Sequence, residues 1–361
     1  MSKIIPEAIE NLSPYVPGRL LEDVQAELGL PDIIKLASNE NSLGASPRAL
    51  EAMADALKNI HRYGDADARA LKKALSEKYG YDPASIVTGN GSSEFILVLA
   101  HALTGPGLSA VMSKPSFTLY SKNVQAAGGL VREAPLTADY GHDLEALLKL
   151  VDDSTRLVFL DNPLNPTGAY LEPEALLSFY EKLPETALLV VDEAYIEFAR
   201  KPKVDWPALK SPERVVVMRT FSKVFGLAGL RVAYALMDPG LAAAINKVRQ
   251  PFNMNTLAQV GAAAALTDDD FIERTLKMTW ESLDYLTAEF KALGLNPYPT
   301  EANFMMVGLD GRSADDVFQA VLHKGVITRS LTSFGLSKHL RVNAGQPNES
   351  EALVRAVKAV L

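Results

Sequence analysis

The sequence contains no cysteine among its 361 residues. Disulfide bonds, thiolate metal sites and cysteine nucleophiles are therefore excluded, and we expect no metal ion as a cofactor. The chain also lacks a charge-free apolar run of about 18 residues, the length that a membrane-spanning helix needs. We accordingly expect no membrane partner.

Basic residues are fewer than acidic ones, with 36 Lys and Arg against 44 Asp and Glu and a formal net charge of −8. Recognition of nucleic acid needs a concentrated basic face, so we expect no nucleic-acid partner. A small anion can still bind, because a pocket can be locally basic inside an acidic protein.

The composition is that of an ordinary soluble globular protein, with 48% hydrophobic and 22% charged residues. A chain of this length exceeds what one compact core usually serves, which predicts two domains. The first twenty residues contain Pro6, Pro14 and Pro17 and no continuous apolar segment of the signal-peptide type. We therefore expect a cytoplasmic protein.

Short apolar runs alternate with helical patterns through the middle of the chain. Residues 155–160, 187–191, 214–218 and 232–236 are typical of buried strands, and residues 172–183 have helical periodicity. This alternation predicts an α/β fold with a mainly parallel central sheet covered by helices on both faces. Ligands of such sheets bind at the carboxyl ends of the strands.

The pattern changes beyond about Asp269. Residues 271–293 are typical of one long amphipathic helix, followed by short strands at 303–307 and 340–343 and two more helices. We predict an N-terminal arm over residues 1–31 that joins the small domain, a large domain over 32–270, and a smaller α+β domain over 271–361 entered by the long helix.

A glycine-rich turn precedes a helical run at residues 95–103. It reads Gly89-Asn90-Gly91-Ser92-Ser93-Glu94. Free amides at a helix N-terminus attract anions, and the two serines add hydroxyl donors. The third glycine of a dinucleotide fingerprint is replaced by Glu94, which excludes that reading. A plain helix cap is the alternative.

Two further polar segments follow strand-like runs. Residues 161–168 read Asp-Asn-Pro-Leu-Asn-Pro-Thr-Gly, which predicts a rigid turn, although a surface loop would also tolerate it. Residues 192–195 read Asp-Glu-Ala-Tyr directly after an apolar strand. Asp192 must be paired or solvated there, since an unpaired buried charge is unfavourable.

The fourth segment contains Lys223 between Phe221 and Val224. Partial burial would lower the pKa of this lysine and free its amine to attack a carbonyl group, whereas an ordinary surface lysine is the alternative. The nearby Thr220, Ser222 and Arg231 provide hydroxyls and a guanidinium suited to an anion.

Together and in this order, the four segments between residues 89 and 231 resemble fold-type-I pyridoxal-phosphate enzymes of the aminotransferase class I and II group. The resemblance implies pyridoxal 5'-phosphate as the cofactor, held as a Schiff base by Lys223, which also moves the substrate proton. It implies that Asp192 pairs with the pyridine nitrogen, and that Asn165 and Tyr195 hold the phenolic oxygen.

The same resemblance extends to the remaining cofactor contacts. It implies that Phe117 stacks on the ring and that Tyr63 reaches the phosphate bound by the neighbouring subunit, so that the active site is shared in a homodimer. The residues implied to bind the phosphate within the chain are Ser92, Ser93, Thr220, Ser222 and Arg231.

The ends of the chain resemble histidinol-phosphate aminotransferases in residues 14–19, 35–41, 328–330 and 334–336. That resemblance implies an amino-group exchange between L-histidinol phosphate and 2-oxoglutarate in histidine biosynthesis. Arg341 and Arg329 would then bind the substrate anions, with Tyr15 and Asn39 lining the pocket, since a guanidinium suits both phosphate and carboxylate.

Other activities stay open on the same motifs. An aromatic amino-acid aminotransferase would not need to recognise a substrate phosphate. A pyridoxal-phosphate-dependent decarboxylase of a phosphorylated amino acid shares most of the motifs. A transcriptional regulator on this scaffold would need an added DNA-binding domain, for which the chain has no spare residues.

Overall fold

A computed structural model describes residues 4–14, 21–30, 32–209 and 213–361 of the chain. The helices are α1 (Glu7–Glu10), α2 (Leu21–Leu28), α3 (Pro47–Ala56), α4 (Arg69–Tyr79), α5 (Ser92–Leu103), α6 (Leu119–Ala126), α7 (Leu144–Leu150), α8 (Pro173–Glu181), α9 (Pro239–Ile245), α10 (Thr256–Ala265), α11 (Asp269–Ala292), α12 (Ala314–Leu322) and α13 (Pro347–Lys358). The strands are β1 (Ile34–Lys35), β2 (Ile86–Gly89), β3 (Ser109–Lys114), β4 (Leu130–Pro135), β5 (Thr155–Asp161), β6 (Leu188–Asp192), β7 (Val215–Thr220), β8 (Ala233–Leu236), β9 (Asn296–Pro297), β10 (Phe304–Gly308), β11 (Val326–Ile327), β12 (Arg329–Ser330) and β13 (His339–Asn343).

Seven strands form the central sheet in the order β2-β8-β7-β6-β5-β3-β4. Only β8 runs against its neighbours, pairing antiparallel with both β2 and β7. The mainly parallel sheet predicted from the sequence is therefore confirmed, and the four predicted strands correspond to β5, β6, β7 and β8 within two residues at each end.

The apolar runs are continuous because both faces of the sheet are covered. In β5, Val158 and Leu160 pack into one core cluster, and Leu157 and Phe159 pack into the cluster on the opposite face. This alternation fixes the direction of the last residue of the strand: Asp161 lies on the face of Leu157 and Phe159.

A second, antiparallel sheet of order β12-β13-β10-β9 lies in the C-terminal part of the chain. The long helix α11 packs on its core through Leu283, Leu286 and Phe290. Although α11 has 24 residues, no helix in the described ranges is both long and apolar enough to pass through a membrane.

The N-terminal end of the predicted large domain also contacts this C-terminal part. Ile34 and Lys35 pair in parallel with Val326 and Ile327, and Leu36 is buried in the same core cluster as α11. These residues lie beyond the predicted arm of residues 1–31, and they connect the segment after it to the C-terminal sheet region.

The loop after Lys223 packs tightly against the segment before α3. Gly226 has a φ of 69°, and a side chain there would collide with the carbonyl oxygen of Gly44. The Ser46 amide donates to the Phe225 carbonyl at 3.3 Å beside this contact. The position therefore requires glycine both for its backbone conformation and for the close approach.

We expect Gly226→Ala to destabilise the protein by roughly 2 kcal/mol or more, because alanine is strained at a positive φ and would overlap backbone atoms. Gly229→Ala is the matched control, since a side chain there meets no atom within 4 Å. Thermal denaturation at equal protein concentration measures both variants. Equal midpoints for the two would contradict the prediction.

Candidate active site

A cavity of about 560 Å³ lies at the carboxyl ends of β5, β6 and β7 and is closed on one side by β12 and β13. Thirteen of the fifteen site residues predicted from the sequence line it. They are Asn39, Ser92, Ser93, Phe117, Asn165, Asp192, Tyr195, Thr220, Ser222, Lys223, Arg231, Arg329 and Arg341.

The other two predicted residues are not part of this cavity lining. Tyr63 is 84% exposed and stacks on Phe252, with the ring centroids 4.8 Å apart. Tyr15 lies outside the described residues.

One end of the cavity is suited to an anion. Helix α5 begins there at Ser92, and the guanidinium of Arg231 packs so closely on Gly91 that a side chain at Gly91 would overlap it. Thr220 donates its hydroxyl hydrogen to Ser222 at 2.9 Å. A helix N-terminus, hydroxyls and a guanidinium together form a phosphate-binding arrangement.

Lys223 lies at the centre of the cavity. Its Nζ donates to the Ser38 carbonyl at 3.4 Å and lies 5.4 Å from the centre of the Tyr195 ring. Burial, together with the positive charge of Arg341, lowers the pKa of Lys223 to about 8 against an opposing effect of Glu40. A much larger fraction of this amine than of an ordinary lysine is therefore unprotonated near neutral pH and can act as a nucleophile.

The carboxyl of Asp192 is buried at the end of β6. It accepts hydrogen bonds from the Tyr120 hydroxyl at 2.9 Å and the Ala194 amide at 3.1 Å. Burial raises the pKa of Asp192 to about 6, although the bond from Tyr120 lowers it. A cationic group placed beside this carboxyl would bring the pKa down again and would be strongly bound.

Arg341 joins the two sheets across the cavity. Its guanidinium donates to Asn165 Oδ1 at 2.7 Å and to the Ala37 carbonyl at 2.9 Å. Beside it, Asn39 Nδ2 donates to the Tyr195 hydroxyl at 2.9 Å. Since Arg341 occupies the Asn165 oxygen, the Asn165 amide nitrogen is available to donate to an acceptor in the cavity.

Comparison with known proteins places this geometry in a family. The aminotransferase class I and II family matches residues 31–357. The chain is 44% identical to the histidinol-phosphate aminotransferase of Desulfotalea psychrophila, over 99% of this chain and 95% of the relative. It is 43% identical to histidinol-phosphate aminotransferase 2 of Carboxydothermus hydrogenoformans, over 99% of both chains.

The chain belongs to the histidinol-phosphate aminotransferases of the class I and II family. Among solved structures, it is similar to the histidinol-phosphate aminotransferase from Sinorhizobium meliloti in complex with pyridoxal-5'-phosphate. The TM-score is 0.90 at 30% identity, covering 100% of this chain and 98% of the other. Thermus thermophilus aspartate aminotransferase shares the fold, with a TM-score of 0.85 at 22% identity over 99% of both chains.

Tyr120 and the buried Asp161 are among the polar residues of the cavity that sequence reasoning missed. Tyr120 follows Phe117 by three residues at the start of α6, and its contact with Asp192 is visible only in the tertiary structure. Asp161 opens the Asn-Pro segment recognised in the sequence, but its position directly beside Asp192 had no local signal.

A small aldehyde, trapped by reduction, should label Lys223 at a rate that rises with pH around a midpoint of about 8, because only the unprotonated amine attacks. Arg341→Met should move the midpoint upward, since it removes the positive charge that most lowers this pKa. Mass spectrometry of the labelled peptide measures the rate.

Arg329→Met is the matched control, because it removes a second cavity arginine that has no resolved influence on Lys223. We expect its midpoint to equal that of the wild type. If Arg341→Met had the same pH midpoint as the wild type, the charge of Arg341 would not control the pKa of the Lys223 amine.

Proposed function

We propose that the protein is a pyridoxal-phosphate-dependent aminotransferase that acts in histidine biosynthesis. It transfers an amino group between L-histidinol phosphate and 2-oxoglutarate, and the products are imidazole-acetol phosphate and L-glutamate. The observation that carries this proposal is the single cavity that combines the Lys223 amine, the buried Asp192 carboxyl and a phosphate-binding end.

The residues present fit each functional group of pyridoxal phosphate. The anion-binding end around Arg231 suits the phosphate, and the raised pKa of Asp192 suits a protonated ring nitrogen. The free amide nitrogen of Asn165 and the hydroxyl of Tyr195 suit the phenolic oxygen, and the lowered pKa of Lys223 suits an aldehyde.

When bound, this cofactor supplies an electron sink for the electrons released as the substrate α-carbon loses its proton. Asp192 strengthens that sink by holding a proton on the ring nitrogen through its carboxylate. With the cofactor bound, the Lys223 amine would hold its aldehyde carbon, and the same amine is placed to accept the proton from the substrate α-carbon. Its lowered pKa makes the unprotonated form that this step needs more accessible than in an ordinary lysine.

The remaining cavity residues orient the ring. Phe117 is partly buried at the cavity wall and packs edge-on against Tyr120, with the ring centroids 5.6 Å apart, which leaves a ring face for stacking. Burial raises the pKa of Tyr195 to about 12, so its hydroxyl keeps its proton and can donate to the phenolic oxygen.

Two arginines are arranged to bind the anionic ends of the substrates. Arg329 and Arg341 are directly opposite one another in the antiparallel pair β12–β13, so both side chains lie on the same face of the sheet. Both line the cavity. A guanidinium pairs with a phosphate as well as with a carboxylate, so the two together suit a phosphate monoester and a dicarboxylate in alternating half-reactions. Asn39 and Tyr15 complete the proposed substrate site.

The purified protein loaded with pyridoxal phosphate should lose its visible absorption band on addition of L-histidinol phosphate and regain it with 2-oxoglutarate. The half-reactions are followed by absorbance and the products by mass spectrometry. Lys223→Ala, which lacks the amine, is the control and should show neither change.

Other outcomes would identify the alternatives. A band that responds to phenylalanine or tyrosine and ignores histidinol phosphate would replace the proposed substrate with an aromatic amino acid. Stoichiometric release of carbon dioxide from a phosphorylated amino acid would instead identify a decarboxylase.

A homodimer with shared active sites is the second part of the proposal. Tyr63 and Phe252 form an exposed aromatic pair, and Leu57 and Ile60 in the preceding segment are more than half exposed. Exposed apolar side chains gathered in this way mark protein interfaces. In the dimer, the Tyr63 hydroxyl would reach the cofactor phosphate of the partner subunit.

Mixed dimers of Tyr63→Ala and Lys223→Ala chains should recover about half of the wild-type activity, because one of the two shared sites then has both residues intact. Transaminase activity after co-expression of differently tagged chains measures the recovery. Mixed dimers of Asp192→Ala and Lys223→Ala chains are the control, since both residues serve the same subunit's site and no recovery is expected. Activity as low in the first pair as in the second would exclude the shared site.

The division into a large domain of residues 32–270, a small domain of 271–361 and an arm of 1–31 is also proposed, supported by the separate central and C-terminal sheets. The pairing of β1 with β11 favours assigning Ile34 and Lys35 to the small domain. A cytoplasmic location stays a prediction of the sequence.

A further inference from the structure

Asp161 is a second acidic residue at the bottom of the cavity. It ends β5 and is the register partner of Asp192 in the neighbouring parallel strand β6, so the two side chains lie on the same face of the sheet. Asp161 is 3% exposed and Asp192 is 4% exposed. Two carboxyls are therefore buried side by side at the carboxyl ends of β5 and β6.

The Asp161 carboxyl contacts the turn that carries Asn165. Its Oδ2 accepts the Asn165 backbone amide at 2.9 Å, and the Phe117 backbone amide also lies close to the carboxyl. The turn is further tied to β6, because the Asn162 amide donates to the Asp192 carbonyl at 2.9 Å. Asp161 thus accepts a hydrogen bond from the backbone of Asn165 and lies close to the backbone of Phe117, and both of these residues are assigned to the cofactor.

His142 approaches Asp161 closely, with its Nε2 3.7 Å from Asp161 Oδ1. Its ring accepts from the Ser113 hydroxyl at 2.7 Å through Nδ1 and donates to the Asp161 carbonyl at 2.9 Å through Nε2. These contacts assign the neutral form with the proton on Nε2. Burial lowers the pKa of His142 to about 4, so it supplies no positive charge.

The other titratable neighbours do not compensate a charge on Asp161 either. Asp192 and the hydroxyls of Tyr120 and Tyr195 are acidic groups, and Asp161 Oδ1 has no hydrogen-bond partner among the described residues. Burial and the adjacent Asp192 raise the pKa of Asp161 well above its usual value. Of two adjacent buried carboxyls, one retains its proton while the other ionises.

We propose that Asp161 is a positioning residue of the cofactor site, which holds the Asn165 turn as an uncharged acid and leaves the negative charge to Asp192. This inference rests on the proposed cofactor. It assigns different roles to the two carboxyls: the one bonded to Tyr120 carries the charge for the ring nitrogen, and the one bonded to the Asn165 amide fixes geometry.

Two substitutions separate position from charge. Asp161→Asn is uncharged and keeps an oxygen that can accept the Asn165 amide, whereas Asp161→Ala removes the acceptor. We expect Asp161→Ala to weaken pyridoxal phosphate binding to the apoprotein about tenfold, the effect of losing one buried hydrogen bond. Asp161→Asn should bind within about threefold of the wild type, by the same reasoning.

The experiment titrates apoprotein with pyridoxal phosphate, followed by absorbance, and records the pH midpoint of the visible band. The pH midpoint of the Asp161→Asn variant should equal that of the wild type, because the uncharged amide replaces a carboxyl that is itself uncharged. The infrared difference spectrum between the two should show the C=O stretch of a protonated carboxyl. Glu197→Gln is the matched control: it alters a half-buried glutamate outside the cavity whose Oε2 is buried and has no hydrogen-bond partner among the described residues, and it should leave binding unchanged.

Apoprotein melting temperatures of all variants separate loss of folding from loss of positioning. Wild-type affinity in folded Asp161→Ala would overturn the positioning role. Affinity as weak in Asp161→Asn as in Asp161→Ala, with a shifted pH midpoint, would overturn the uncharged state. If the wild type bound the cofactor but did not react with histidinol phosphate, only the proposed substrate would be refuted. The cofactor titrations and melting temperatures need no substrate and would still test the role of Asp161.

Discussion

The structure of the site depends on a buried negative charge at the end of β6. Asp192 is placed in the sheet interior, where an uncompensated carboxylate is unfavourable, and the hydroxyl of Tyr120 and the Ala194 amide compensate it only in part. A cation in the cavity would compensate the rest of the negative charge on Asp192. In the proposed arrangement, the protonated ring nitrogen of the pyridine cofactor would supply this cation, which would link the stability of this end of the strand to cofactor binding.

On the opposite face of the central sheet, a buried ion pair holds the ends of β6 and β7 together. Glu193 follows Asp192 and turns to the other face, where its carboxylate accepts from Arg219 at 2.7 Å and from Trp206 at 2.8 Å. Arg219 belongs to β7, the strand that leads to Lys223. The ion pair therefore ties together the ends of the two strands that carry the carboxylate and the amine. Removing one partner would leave the other buried and unpaired, so this pair constrains their relative position strongly.

Local patterns predicted much of this arrangement because they depend on neighbours in sequence. The runs that became β5, β6 and β7 are mainly apolar, as is typical of strands covered on both faces, and each is followed by its polar segment. Strands β2, β3 and β4 were not predicted. Of these, β4 is largely exposed or half-buried and gives no strong apolar signal. The exposed position of Tyr63 is compatible with the proposed contact to a partner subunit. The sequence of one chain suggested that contact only through the resemblance to a family.

The sequence by itself determined the class of fold and the order of the four motifs, because these follow from periodicity and from residue types a few positions apart. The role of Lys223 as the reactive amine came from the resemblance and is proposed. Only the tertiary structure decided the electrostatics of the site. The lowered pKa of Lys223 depends on burial and on Arg341, and Asp161 lies beside Asp192 through strand register. Charges interact through space and solvent exclusion, so residues distant in the chain set each other's protonation only once the two sheets have packed together.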